Sequence, residues 1–329
     1  MKALRVLSKD QPAQLVEMNS DELTPGEVHI KIHYSSINYK DALAVTAKGK
    51  IIRNFPLNPG IDFSGTVLSC ANSDFKPGDS VLVTGCSVGE EWDGGFAEEV
   101  KAHANSVIAL PKGMSLKEAM FFGTAGFTAA LAVHRLLENH QSPAKGPMLV
   151  SGATGGVGSF SVALLRHLGF EVIALTGKKE SQSEYLKNLG ASQVMNLEDL
   201  GLDNKPLGRA LFGGVVDNLG GDFLSKALPH VDLWGNVAAI GLAQSPTLQS
   251  TVMPFILRGV SLLGVSSNNC PLKLRREIWR LLTHEWKAPG FEHIETQEIP
   301  LDEVPQVAKL MLERKTHGRI LVNLVNPKS

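Results

Sequence analysis

Residues Pro147–Gly158 read PMLVSGATGGVG, followed by SFSVALLRHLG, and this stretch decides the fold. Met148, Leu149 and Val150 form a short apolar run bounded by turn residues, the pattern of a strand buried on both faces of a parallel sheet. After the glycine-rich turn, Val157, Phe160, Val162, Ala163, Leu164 and Leu165 recur at helical spacing until Gly169 stops the helix. Strand, glycine turn and helix N-terminus make an anion site, because unpaired backbone N–H groups and the helix dipole both point at the ligand. Bare glycines also let a pyrophosphate come close to the backbone. Ala153, Gly155 and Gly158 give A-x-G-x-x-G, with alanine where the dinucleotide fingerprint opens on glycine. Glu171–Leu175 supplies the next apolar strand and completes the βαβ unit that the fingerprint requires.

Working outward, further strands are predicted at Gln193–Asn196, Gly214–Asn218, Gly235–Ile240 and Val260–Gly264, and strands alternating with helices mean a doubly wound parallel sheet. Ser181 and Glu184 have capping-box spacing and are expected to open a helix ending at Gly190. Upstream, residues 1–110 alternate as antiparallel strands do, at Glu27–Tyr34, Gly60–Ser69, Asp79–Thr84 and Phe96–Val100, which suggests a partly open barrel. His29 and His33 share one face of the first of these, but four residues of strand span about 13 Å, too far for one metal ion. A solvated face is expected there. Helical periodicity appears at Lys117–Phe122 and Gly126–Glu138, and again in the tail at Arg275–His284 and Val304–Arg314, before a last strand at Arg319–Val325. The tail is expected to rejoin the first domain. Residues 1–121 and 270–329 would then form one discontinuous domain around a nucleotide domain at 122–269.

Bulk properties exclude several functional classes. The 329 residues favour two domains, and a net charge of −1 gives no bulk attraction to nucleic acid or anionic membrane. Three scattered cysteines, Cys70, Cys86 and Cys270, argue for a reducing compartment and against a disulfide framework. The opening MKALRVLSKDQPAQ has no apolar signal core, and no run reads as the roughly 20 apolar residues of a bilayer span. A cytoplasmic location is expected.

The order of β-rich domain, glycine-rich nucleotide fold and return segment resembles the medium-chain dehydrogenase/reductase superfamily over essentially the whole chain. Ser35–Val67, Gly123–Leu131, Gly152–Gly158, Thr251–Ser267 and His317–Val322 look like the acrylyl-CoA reductase (NADPH) family, and the block from NYKDAL through KIIRNFP to PGIDFSG is the most discriminating. The resemblance implies an α/β protein with a GroES-like barrel domain and a Rossmann domain. It also implies NADPH-dependent reduction of the C=C bond of acrylyl-CoA to propanoyl-CoA, and commonly a homodimer, with Val260–Gly264 as the pairing edge. The rivals are a zinc-free quinone oxidoreductase of the same superfamily and an NADPH-binding protein with little turnover.

The residues themselves bear on the cofactor. An NAD-preferring site ends its second strand on Asp or Glu, which bonds the ribose 2′-OH. Here Leu175-Thr176-Gly177-Lys178-Lys179 stands instead, so a hydroxyl and two cations face a 2′-phosphate and Lys178 is the expected contact. By resemblance, NADPH would be contacted by Tyr39 near the nicotinamide, by Thr154, Gly155, Gly156, Val157 and Gly158 at the pyrophosphate, and by Thr176, Gly177 and Lys178 at the 2′-phosphate. Leu242, Ile256, Ser267 and Arg319 complete the set. Leu197 departs from relatives that carry a basic residue, and Tyr185 is a candidate replacement.

Where zinc-dependent relatives carry metal ligands, this sequence reads Asn38-Tyr39-Lys40-Asp41 and Pro59-Gly60-Ile61-Asp62, so no metal is expected. Reduction of a conjugated C=C bond suits this: charge arriving on the carbonyl oxygen can be held by hydrogen bonds. Tyr39 is the expected donor and either it or water delivers the α-proton. Asn38 would donate to the thioester oxygen or position the ribose. Asp41 and Asp62 are orienting groups or structural acceptors, with Asp62 counted among the catalytic candidates. Lys50 and Arg53, with Lys48, either steer the CoA phosphates or form a solvated loop. Met253–Phe255 is expected in the core or as an edge strand.

Overall fold

The computed structural model describes residues 1–72 and 74–325. The chain divides into two compact units. One comprises Met1–Thr124, Ser267–Thr283 and the chain from Thr296; the other comprises Ala125–Ser266 and His284–Glu295.

The second unit is built on six parallel strands. From one edge they run Gln193–Met195, Val172–Leu175, Met148–Val150, Phe212–Asp217, Val231–Ala239 and Ser261–Gly264. Counted along the chain this is the order 3-2-1-4-5-6, so the sheet reverses direction between Met148–Val150 and Phe212–Asp217, and ligands bind outside the strand ends at such a reversal. Three of the four inner strands are buried end to end, as in a parallel sheet covered on both faces: every residue of Met148–Val150, Val172–Leu175 and Phe212–Asp217 is buried. Leu149, Ile173, Val215, Val237, Phe223 and Leu228 share one core cluster, each large side chain contributing about 1.5–3 kcal/mol of burial.

The first unit holds a seven-stranded sheet. Its path is Thr296–Pro300, Arg319–Asn323, Val28–Ser36, Asp62–Cys70, Ser80–Thr84 and Ile108–Ala109, with Glu99–Ala102 paired to Val28–Ser36 off that path. All pairs are antiparallel except Thr296–Pro300 with Arg319–Asn323. Alternation in Val28–Ser36 buries Val28, Ile30 and Ile32. On the other face His29 Nε2 lies 2.8 Å from Glu99 Oε2 across the strand pair, and His33 Nε2 lies 3.2 Å from Thr66 Oγ1. The two histidines therefore serve separate cross-strand contacts.

Several expectations need correction. The boundaries at 121/122 and 269/270 miss residues 284–295, which pack on the second unit: the Phe291 ring sits edge-on to Phe160 at 5.3 Å, and a Cβ on Gly290 would lie 3.2 Å from Ala163 Cβ. Met253–Arg258 is a helix with Pro254 in its first turn, not a strand. The helix expected to start at Ser181 begins at Lys179, and the Ser181 hydroxyl donates to the Lys178 carbonyl. The two helical runs at 117–138 form one element, Leu116–Glu138, broken at Gly123. By length and composition that helix is apolar enough to cross a membrane, but 72% of its most apolar window is buried inside the protein, which is the condition of a core helix.

Candidate functional site

In the second unit the expected nucleotide residues gather at the carboxyl ends of the parallel strands. The turn Ser151–Gly155 leads into the helix Gly156–His167, and Gly155 takes the extended conformation of a helix cap. The amides of Gly156, Val157 and Gly158 have no acceptor among the described residues, so three N–H donors and the positive end of a helix dipole remain for an anion. Gly158 is fixed by packing: a Cβ there would stand 2.3 Å from the Gly152 carbonyl oxygen. Gly155 is freer, since its Cβ would meet only that oxygen, at 3.4 Å.

A hydrogen-bond lattice missed by sequence reasoning holds this turn. Ser151 Oγ donates to Asp217 Oδ1 (2.7 Å) and accepts from the Asn218 amide (2.8 Å), while Asn218 Nδ2 donates to the Ser151 carbonyl (2.7 Å). Asp217 also accepts from the amides of Leu219 and Gly220, and burial pushes its pKa up. The only sequence signal was an Asp-Asn pair closing an apolar strand, which marks the strand end opposite the glycine turn. Ala153 N donates to Leu175 O (3.0 Å), joining the glycine turn to the segment Thr176–Lys178.

Thr176 is buried and its hydroxyl accepts from the Lys178 amide at 3.1 Å, and open space surrounds Gly177. Lys178 occupies the cap position of the helix Lys179–Asn188, and partial burial lowers its pKa. Its neighbour Lys179 forms an ion pair with Asp199 at 2.6 Å. Tyr185 does not fill the place of a basic residue at Leu197. It is buried, its hydroxyl donates to Ser159 Oγ (2.8 Å), and burial raises its pKa to about 12. Leu242 and Ile256 are exposed, 60% and 71%. The donors, glycines and cation present fit a doubly charged dinucleotide phosphate.

The first unit carries the other candidates. Asn38 caps the helix Tyr39–Val45, and Tyr39 is its first residue, 43% exposed. Asp62 opens the strand Asp62–Cys70 and is fully buried. Its carboxylate accepts from Ser36 Oγ (2.7 Å), Asn38 Nδ2 (2.7 Å), the Thr124 amide (2.8 Å) and Thr124 Oγ1. A carboxylate with its lone pairs so committed orients its neighbours. Asp41 accepts from the amides of Asn38 (2.8 Å) and Ile61 (2.9 Å) and from Asn38 Nδ2 (3.1 Å). Burial and then the charge of Asp62 raise its pKa to about 7, against the pull of the hydrogen bonds. Both N–H groups of the Asn38 amide thus go to carboxylates, and a thioester oxygen would have to displace one.

Arg319 does not project outward. It is buried, with Nε donating to Phe121 O (2.8 Å), Nη2 to Met120 O (3.2 Å) and Nη1 to Asn38 Oδ1 (3.4 Å), so it closes the helix segment that ends at Gly123. Ser267 accepts a hydrogen bond from Arg275 through its carbonyl (2.6 Å). In the expected substrate loop, Arg53 pairs with Glu91 at 2.7 Å and Lys50 is exposed. Among the described residues no group of three or more His, Cys, Asp or Glu side chains could hold a metal ion, and Asn38, Tyr39 and Ile61 offer none of the usual zinc donors.

Comparison with known proteins bears on the fold of both units. Residues 24–112 match the Alcohol dehydrogenase GroES-like domain and residues 156–284 the Zinc-binding dehydrogenase family. The chain is 43% identical over 312 residues, 95% of each chain, to "Probable acrylyl-CoA reductase AcuI" of Escherichia coli (strain K12). It is also 43% identical over 317 residues, 96% of each chain, to "Putative quinone oxidoreductase YhfP" of Bacillus subtilis (strain 168). Among solved structures, the yhdH oxidoreductase of Salmonella enterica in complex with NADP superposes with a TM-score of 0.93 at 42% identity, covering 98% of this chain and 99% of that one. The Bacillus subtilis protein yhfP with NAD bound gives 0.93 at 41%, covering 98% of each. With this fold, this strand order and these relatives, the chain is an oxidoreductase that belongs to the medium-chain dehydrogenase/reductase superfamily.

Proposed function

We propose that the protein is an NADPH-dependent reductase of C=C bonds conjugated to a carbonyl, with acrylyl-CoA as substrate and propanoyl-CoA as product. The observation that supports this reading is a carboxylate-free second strand end bearing Thr176 and Lys178, in a chain 43% identical to "Probable acrylyl-CoA reductase AcuI" over 95% of its length.

NADPH supplies the hydride for the β-carbon. The protein's own groups do the rest. The amides of Gly156, Val157 and Gly158 hold the pyrophosphate, and Thr176 and Lys178 hold the 2′-phosphate. Charge moving onto the acyl oxygen needs a donor that strengthens as the charge develops, and the exposed Tyr39 phenol supplies it. The same hydroxyl or a water delivers the α-proton. Asn38 and Asp62 act by holding Tyr39 in place. Lys50 and Arg53 bind the CoA phosphates, Arg53 by exchanging its Glu91 partner for phosphate. The edge strand Ser261–Gly264 pairs two copies about a twofold axis, and the free thiols of Cys70, Cys86 and Cys270 suit a cytoplasmic enzyme.

A quinone reductase is the second reading, because the identity to YhfP is as high. The test is NADPH consumption with acrylyl-CoA, crotonyl-CoA and a simple quinone side by side. Turnover of acrylyl-CoA above the other two is expected. Turnover of the quinone alone transfers the assignment to the second reading.

A further inference from the structure

We propose that Asp41, a residue outside the expected catalytic set, is a positioning residue: it locks the Asn38–Tyr39 segment to the start of the strand Asp62–Cys70 and so fixes the Tyr39 phenol on a rigid mount. The proposal rests on the function assigned to Tyr39 above.

The geometry exceeds what helix capping needs. In the capping box of this helix the Asp41 side chain contributes one bond, accepted by Oδ2 from the Asn38 amide. Asp41, only 1% exposed, takes two more: Oδ1 accepts the Ile61 amide, one residue before Asp62, and Oδ2 accepts Asn38 Nδ2. Asn38 Nδ2 also donates to Asp62, and Asn38 Oδ1 accepts from Arg319. Every polar atom of the Asn38 side chain is therefore held by a buried group. On the other side of Tyr39, Lys40 is tied to Glu90 at 2.9 Å, and Glu90 is itself buried. Residues 38, 40 and 41 are fixed, while the Tyr39 hydroxyl has no hydrogen-bond partner among the described residues. An assembly that immobilises the residues on both sides of Tyr39 and leaves its polar tip unspent is a mount for that tip.

The charged groups facing Asp41 are Asp62 and Arg319. The helix Val304–Leu312, which packs against Tyr39–Val45, brings apolar Val304, Val307 and Ala308 to the shared core. Ionised, Asp41 accepts all three N–H groups; protonated, it has to turn a hydroxyl toward one of them.

The test compares wild type with Asp41→Asn in NADPH consumption with acrylyl-CoA and with a simple quinone from pH 5.5 to 9, alongside thermal unfolding. The variant is expected to lose roughly 10- to 100-fold in kcat, with KM for NADPH within about twofold of wild type, and to lose a wild-type rise in kcat through neutral pH. A folded variant with wild-type kcat overturns the proposal, as does one in which only the melting temperature moves. Should the variant not fold, wild type decides: a kcat flat through neutral pH overturns the proposal and a rise with constant KM for NADPH supports it. If wild type turns over neither acceptor, the assigned function fails, and Asp41 is then judged by amide exchange at pH 8. Asp41→Asn must speed exchange at Asn38 and Ile61 while sparing Val28–Ser36; unchanged exchange there overturns it.

Discussion

The carboxylate assembly of the first unit and the glycine turn of the second are opposite solutions to placing polar groups. Around Asp41 and Asp62 nearly every donor and acceptor is spent internally, across side chains far apart in sequence, and a single phenol is left over. At the glycine turn the backbone is left unspent, with three consecutive amides lacking acceptors among the described residues at the mouth of a helix. A saturated lattice gives rigidity and tolerates no intrusion. An unsatisfied one gives affinity, and at Gly155, though not at Gly158, it has room for a side chain.

The contrast can be broken most severely at Gly123. Its φ of 48° and ψ of −154° are open to glycine alone, and a Cβ there would stand 2.6–2.8 Å from Asp62 Oδ2, Ser36 Oγ and Arg319 Nη2. Gly123→Ala should cost about 4 kcal/mol or more, read as loss of soluble folded protein or a collapse of the urea midpoint. Next in size is the proton linkage of Asp41. Its folded pKa of about 7 lies above the ordinary 3.8, so the unfolded chain releases this proton first. The stability this group contributes is present below about pH 4 and lost as pH rises to about 7, by up to about 4 kcal/mol. Urea unfolding at several pH values should show that decline in wild type relative to Asp41→Asn.

The glycine turn should respond differently. Gly155→Ala meets only one oxygen at 3.4 Å, so the melting temperature should stay within about 2 °C while NADPH affinity falls roughly 10-fold or more, measurable by calorimetry. Lys178→Ala should leave folding intact and reduce the preference for NADPH over NADH by roughly 10- to 100-fold, the worth of one charged hydrogen bond. An unchanged preference would remove Lys178 from the phosphate site. Smallest in stability is Tyr39→Phe, expected within about 0.5 kcal/mol of wild type because the residue is 43% exposed and its hydroxyl has no hydrogen-bond partner among the described residues, although turnover should fall further than NADPH affinity.

The second unit was legible in sequence because its strands are buried on both faces and its anion site is local: Met148–Val150, the glycines and the helix run are contiguous. Segments with half-exposed patterns escaped notice. Lys2–Arg5 is buried at three successive residues and so shows no alternation, while Gln14–Glu17 and Thr296–Pro300 carry too few buried residues to show it. Met253–Arg258 reads as an apolar strand because Ile256 and Leu257, both exposed, interrupt no period a short helix could display. The same division runs through the sites. Lys178 stands out locally as the residue where a carboxylate would otherwise be. The burial of Arg319 beside Asn38 joins residues 281 positions apart, and no local pattern encodes such a contact. The commitment of Asn38, expected to donate to the thioester oxygen or to position the ribose, depended on Asp62, 24 positions away.

Because residues His284–Glu295 leave the first unit for the second and return, the polypeptide passes between the two units four times. Neither unit corresponds to a contiguous gene fragment. Truncation anywhere between Ala125 and Glu295 removes pieces of both units, and an excised Rossmann module would have to be spliced to this dozen-residue patch to keep Phe291 over Phe160.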